Sequence, residues 1–118
     1  MDSYDDNNKF ARIIRNEILS NNVYEDEEIL AFHDNNPLAP VHILIIPKVA
    51  KIIGPSEISR SDASLMGKMV YVATELARKF GIDKTGFRLV MNNGSDAGQT
   101  VPHIHLHLLG GGTLSNIA

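Results

Sequence analysis

Three of the five histidines in this 118-residue chain fall at every second position of one short run. It reads His103-Ile104-His105-Leu106-His107-Leu108-Leu109-Gly110-Gly111. In an extended strand, successive side chains point to opposite faces. The spacing therefore predicts a strand with His103, His105 and His107 on one face and Ile104, Leu106 and Leu108 on the other. Imidazole changes charge near neutral pH, so an imidazole row suits proton or group transfer. The apolar row would anchor the same segment in a core. Three histidines in alternation also make an ordinary polar sheet surface the weaker reading.

Two kinds of chemistry compete for such a row. The first is metal binding. At ~3.3 Å per residue, His103 and His107 would lie ~13 Å apart along the strand, whereas zinc–nitrogen bonds are ~2.0–2.1 Å. One ion could use two members of the row, with His42 or His33 as a further ligand. The chain has no cysteine, and the run itself contains no acidic residue. No metal and no other cofactor is therefore expected. The second kind is nucleophilic and acid–base catalysis, which fits better. An imidazole can attack phosphorus or carbon and split one hard step into two. It needs one ring nitrogen free and the other held in the correct tautomer. His105, with an imidazole on either side, is the expected nucleophile.

The attacked group must also have its developing charge stabilised. Asn92-Asn93-Gly94-Ser95-Asp96-Ala97-Gly98-Gln99-Thr100 runs almost directly into the histidines. Gly94 and Gly98 would let backbone amides approach an anion, and Ser95, Gln99 and Thr100 add side-chain donors. Such loops are common, and its position before the histidine run is what gives this one weight. His42 alternates with Leu44 and Ile46, so it reads either as a core histidine or as a relay beside the row. His33 reads as an ordinary strand-end histidine.

The remaining sequence must position these groups. Phe10, Ile13 and Ile14 suggest a short amphipathic helix over 8–14. Val23-Tyr24 and Ile29–His33 read as a hairpin around the polar turn Glu25-Asp26-Glu27-Glu28. Val41–Ile46 is apolar on both faces, which predicts a central strand ended by Pro47. A long helix is expected over about 61–80. Leu65, Met69, Val72, Leu76 and Phe80 recur there at spacings of three and four, Ser59 or Ser61 can cap it, and Gly81 can stop it. Phe87–Met91 is a fourth strand and the histidine run a fifth. The order predicts an α+β domain: a five-stranded antiparallel sheet with one long and one short helix. Residues 1–8 are expected to be a flexible tail, 9–112 the domain, and 113–118 a C-terminal tail.

Composition narrows the function. A net charge of −3 argues against binding a nucleic-acid backbone. The lack of cysteine removes disulfides and thiol catalysis. No apolar run approaches the ~18 residues of a membrane span, and the polar, acidic start is unlike a signal peptide. A cytoplasmic protein without a membrane partner is the expectation. A domain of this size would also hide more surface by dimerising.

The histidine run resembles the signature of the histidine triad family. The likeness extends through Phe10–Ile18, Tyr24-Glu25-Asp26, Ala31-Phe32-His33-Asp34, Ala39–Lys48 and Asn92–Thr100, together about residues 9–112. Order and spacing most resemble the histidine-triad nucleotide-binding branch, whose members act as purine nucleoside phosphoramidases. The resemblance implies hydrolysis of purine nucleoside 5′-phosphoramidates and related adenylates of AMP or GMP type, with no metal. It implies His105 as the nucleophile that becomes nucleotidylated, and His103 and His107 as flanking residues that contact phosphate or orient it. His42 would join the relay. Asp34 would bind ribose hydroxyls, and Phe10, Ile13, Phe32 and Leu44 would line the base pocket. Asn92, Gln99 and Thr100 would contact the phosphate side. The family fold implies a homodimer whose two sheets join into one of ten strands. Thr100 stands where the branch commonly has serine, and Lys9 where an apolar base-pocket residue is usual. The short C-terminus without tryptophan leaves the amine leaving-group preference open. The paired-cysteine zinc site of some relatives is absent. Rival readings are a dinucleoside polyphosphate hydrolase of the same family and a nucleotide-binding regulatory module with little turnover.

Overall fold

A computed structural model describes residues 3–117; Met1, Asp2 and Ala118, the outer ends of the two expected tails, lie outside the described residues. The strands are β1 (Asn22–Glu25), β2 (Ile29–His33), β3 (Val41–Pro47), β4 (Phe87–Val90) and β5 (Leu106–Gly110). The α-helices are α1 (Lys9–Ile14) and α2 (Ala63–Lys79). The five strands form one antiparallel sheet in the order β1-β2-β3-β5-β4. This is the expected α+β architecture, with β3 at its centre.

Strand alternation sorts the apolar residues into two cores. Ile29 and Ala31 of β2, Ile43 and Ile45 of β3, and Leu106 and Leu108 of β5 pack with Met69, Val72, Ala73, Leu76 and Ala77 of α2. Their neighbours in sequence face the other way. Leu30, Phe32, Leu44 and Ile46 pack with Phe10 and Ile13 of α1. β3 is therefore buried on both faces, which is why its sequence reads as a continuous apolar run. Burying one such side chain contributes about 1.5–3 kcal/mol, so these two layers hold the frame of the site.

Each helix has a local cause for its ends. The Asn8 side chain accepts a hydrogen bond from Ala11 N–H at 2.9 Å and caps α1. Asn8 is buried, and Tyr4 reaches His103, so residues expected to form a tail supply contacts to the domain. A short 3₁₀ turn over Arg60–Asp62 leads into α2, where the Asp62 carboxylate accepts from Ser59 N–H at 2.9 Å. α2 stops before Gly81, whose φ of +72° lets the chain turn back at low cost.

The histidine run departs from the expected regular strand. Only Leu106 onward pairs in the sheet, and its last partner on β3 is Ile45. His103 and His105 precede β5 in irregular backbone. Beyond Ile45, Pro47 has no N–H to extend a ladder. The His103 N–H turns to Val101 O at 2.9 Å and the Ile104 N–H to Ile52 O at 2.8 Å. Side-chain alternation survives, but the imidazole face is not a solvent face: His103 and His105 are both buried.

Candidate active site

The sheet face covered by α1 carries four linked imidazoles. Phe10 of α1 meets His105 edge-on at a centroid distance of 5.0 Å and His103 at 6.2 Å. His105 meets His107 at 5.0 Å, and His107 meets His42 at 5.2 Å. His42 comes from β3, on the same face as Leu44, and register places Leu44 opposite His107. The Phe10 and Phe32 rings pack edge to face at 5.6 Å and wall off one side.

Hydrogen-bond partners determine the tautomer of each ring. The His105 Nδ1–H donates to the His103 carbonyl at 2.7 Å, because a carbonyl can only accept. In the neutral ring this leaves Nε2 of His105 with a bare lone pair. The Leu38 N–H donates to His42 Nδ1 at 3.0 Å, so the His42 proton sits on Nε2. That Nε2–H donates to His107 Nδ1 at 2.9 Å, which puts the His107 proton on Nε2. His103 donates Nε2–H to Pro47 O at 3.0 Å and accepts at Nδ1 from the Tyr4 hydroxyl at 2.5 Å. The row thus offers one bare nitrogen, on His105, beside one N–H donor, on His107.

Burial keeps the rings neutral. It pushes His103 down to about 4, with the neighbouring His105 adding to the effect. It pushes His107 down to about 4 as well, helped by His105 and His42 and opposed by Asp34. Burial also holds His105 and His42 below the ordinary histidine value, again against Asp34. A neutral imidazole is the nucleophilic form, so at neutral pH the His105 lone pair is available.

A cavity opens over this row. It is bordered by Phe10, Ile13, Phe32, Leu44, Asp34, Thr100, His105 and His107, eight of the twelve residues expected at the site. One Asp34 oxygen accepts from Asn36 N–H at 2.8 Å, while the other lies 3.4 Å from His42 Nε2. Lys9 also borders the cavity. His42 lies behind His107, nearly fully buried, where it acts on the cavity through that ring.

Three expected residues are placed elsewhere. His103 has both nitrogens engaged and forms no wall of the cavity, so it reaches the reacting centre only through its carbonyl. The Gln99 amide is spent on backbone groups. Its Nε2 donates to Ile53 O at 2.6 Å and Val101 O at 3.1 Å, and its Oε1 accepts from Gly94 N–H at 2.8 Å. Asn92 does not border the cavity. Its neighbour Asn93 instead accepts from Ser56 N–H at 2.8 Å and pins the loop to the segment before α2. The anion loop of the sequence reading is thus largely self-satisfied, with Thr100 as its member at the cavity. Residues not singled out also border it, among them Leu19, Ser20, Asn35, Asn36 and Val101. Only Asn35-Asn36 carried a signal, by following Asp34 directly. His33 borders it too, but its ring meets Phe80 edge-on at 5.6 Å on the α2 side, as a structural strand-end residue does.

Asp34, His42 and His107 offer three ligating atoms within 4.8 Å of one another. Their hydrogen bonding does not suit an ion. His42 Nε2 carries the proton because Leu38 N–H occupies Nδ1, and a metal would need that lone pair. The 2.9 Å between the His42 and His107 nitrogens is also a hydrogen-bond spacing. Two ligands of one tetrahedral zinc would stand ~3.3 Å apart, given its bond lengths.

Comparison with known proteins agrees with this geometry. The model of the HIT domain family matches residues 15–114. The purine nucleoside phosphoramidase of Escherichia coli (strain K12) is 46% identical over 102 residues, which cover 86% of this chain and 85% of that protein. A HIT-like protein of Buchnera aphidicola subsp. Baizongia pistaciae (strain Bp) is 44% identical over 110 residues, covering 93% and 97%. Among solved structures, a HIT family hydrolase from Legionella pneumophila Philadelphia 1 superposes with a TM-score of 0.89 at 43% identity, over 92% of this chain and 96% of that one.

Proposed function

The chain belongs to the HIT domain family and is a hydrolase of that family; from this premise we propose that it cleaves purine nucleoside 5′-phosphoramidates and related adenylates through a nucleotidyl intermediate on His105. One observation carries the reading. The 2.7 Å bond from His105 Nδ1–H to the His103 carbonyl leaves Nε2 bare at a cavity whose walls suit a nucleotide.

In this reading the purine lies against Phe10, Ile13, Phe32 and Leu44, and Asp34 takes the ribose hydroxyls. His105 Nε2 attacks the α-phosphorus and the bond to the leaving group breaks. An amine leaves with both electrons of the P–N bond and the proton that its N-protonated form already holds. An acyl leaving group departs as a carboxylate and needs no proton. His107 Nε2–H donates a hydrogen bond to the charge that builds up, and His42 holds His107 in that tautomer. Thr100 borders both this cavity and a second one lined by Ser3, Asp5, Gly94 and Ser95, into which the leaving group would pass. Water then attacks the phosphorus and loses a proton to solvent, the electron pair of the N–P bond returns to His105 Nε2, and the nucleoside monophosphate, AMP for an adenosine substrate, is released. Gln99 and Asn92 act in this scheme by shaping the loop rather than by touching phosphate.

The reading extends to a homodimer with a continuous ten-stranded sheet. β4 is an edge strand with one open side, and Tyr71 and Val70 on α2 are exposed. Among the described residues no helix is long and apolar enough to cross a membrane, and a cysteine-free chain fits the cytoplasm proposed for it.

Mass spectrometry of a reaction quenched with an adenosine 5′-phosphoramidate tests the chemistry. We expect one AMP added to the peptide containing His105. Turnover with the AMP on another residue would overturn His105 as the nucleophile, and turnover with no adduct in rapid-quench samples would overturn the covalent route. Diadenosine polyphosphates assayed side by side should turn over more slowly.

A further inference from the structure

We propose that Tyr4 is a positioning residue for His105, acting through His103. The proposal rests on His105 being the nucleophile, and it assigns a role to the segment before α1.

The carbonyl that orients His105 belongs to a residue outside the sheet. β5 begins at Leu106, so no strand ladder holds the His103 peptide. The Ile104 N–H of that peptide donates to Ile52 O at 2.8 Å, and the His103 side chain adds two further anchors. The ring is gripped at both ends, by Pro47 O at Nε2 and by the Tyr4 hydroxyl at Nδ1. His103 is 1% exposed, so its ring meets both partners within the protein. The Tyr4 and His103 rings also pack edge to face at 5.6 Å. With the ring fixed, its carbonyl stays aimed at His105 Nδ1 and the His105 lone pair stays on Nε2.

Burial already keeps His103 uncharged, and a Tyr4 hydroxyl donating to Nδ1 favours the same form. A donor at Nδ1 stabilises the ring only while that nitrogen is bare. A proton there would set a positive charge beside a nucleophile that itself becomes cationic on bonding to phosphorus. The charged groups around the cavity behind His103 are Asp6, Arg15, Lys48 and Lys51. All are otherwise engaged: Lys51 with Asp6 at 2.8 Å, Arg15 with Glu17 at 2.7 Å and Lys48 with Glu25 at 2.6 Å. Tyr4 is thus the residue that supplies the Nδ1 donor.

Nitrogen-15 NMR of the histidine-labelled protein and of Tyr4→Phe tests the link without substrate. The wild type should show His103 protonated at Nε2 and bare at Nδ1. In Tyr4→Phe the His103 Nδ1 resonance should move, and the His105 nitrogens should follow. The opposite His103 tautomer in the wild type, or an unchanged His105 signal in the variant, would overturn the proposal. The wild-type measurement stands even if the variant folds poorly. With an adenosine phosphoramidate, kcat of Tyr4→Phe should fall about tenfold while KM and AMP affinity stay within about twofold. A lower melting temperature with unchanged kcat would mark Tyr4 as merely structural and defeat the idea. A wild-type protein inert toward phosphoramidates would refute the proposed reaction and leave the NMR comparison to decide the role of Tyr4.

Discussion

The two faces of the sheet are built from the same strands and do opposite things. Toward α2, the core residues of β2, β3 and β5 are isoleucine, leucine and alanine, and they meet methionine, valine, alanine and leucine of the helix. Toward α1, the same strands present Leu30, Phe32, Leu44 and Ile46 together with His42 and His107, and the segment before β5 adds His105. Apart from His33, the first face is apolar. The second buries polar rings, and each must find a hydrogen-bond partner to avoid a penalty of about 1–3 kcal/mol. Among the described residues no buried side-chain nitrogen or oxygen lacks one. One face can therefore be judged by packing, and the other by who donates to whom.

Substitutions on the two faces should separate activity from stability. The largest effect is expected from His105→Asn: hydrolysis of an adenosine phosphoramidate should fall by about 10³-fold or more, while AMP binding by calorimetry and the melting temperature change little. Near wild-type turnover in that variant would dissolve the division. Ile45→Ala, on the α2 face, should do the reverse. A fully buried isoleucine replaced by alanine costs about 2–5 kcal/mol, measurable by urea unfolding, with kcat of the folded fraction retained. A large loss of kcat there would show that the two faces are coupled.

Mild acid should strain the histidine face. In the unfolded chain these rings titrate near ~6.5, whereas in the fold His103 and His107 titrate at about 4. Between those values the unfolded chain binds more protons. The contribution of these two rings is therefore full above ~6.5, declines as pH falls toward 4, and levels off below it. Unfolding followed from pH 8 to pH 4 should show this loss, and His103→Gln should flatten it. The acid limb of kcat/KM should likewise lie below ~6.5, since His105 is also held down by burial. The smallest effect should come from chelation. Excess EDTA should leave turnover unchanged, and a loss restored specifically by zinc would reopen the Asp34–His42–His107 cluster as a metal site.

Much of this was legible in the chain. The continuous apolar run Val41–Ile46 and a 3.6-residue period in α2 are local patterns, and both elements form where the patterns put them. The histidine spacing likewise placed His105 and His107 on one face. The anion loop was legible as a loop but not as a ligand, because whether Gln99 faces a phosphate or the carbonyl of Ile53 depends on a partner 46 residues away. His103 illustrates the same point. Its spacing marked it as a member of the row, while its two partners, Tyr4 and Pro47, lie 99 and 56 residues distant.

The sequence alone determined the elements, the two-faced sheet and the identity of the chemistry-bearing row, since periodicity and residue type act over a few residues. Only the tertiary structure decided the proton on each ring. A histidine tautomer follows from whichever group meets each nitrogen, and here those groups are brought in from the segment before α1, from β3 and from the loop before it.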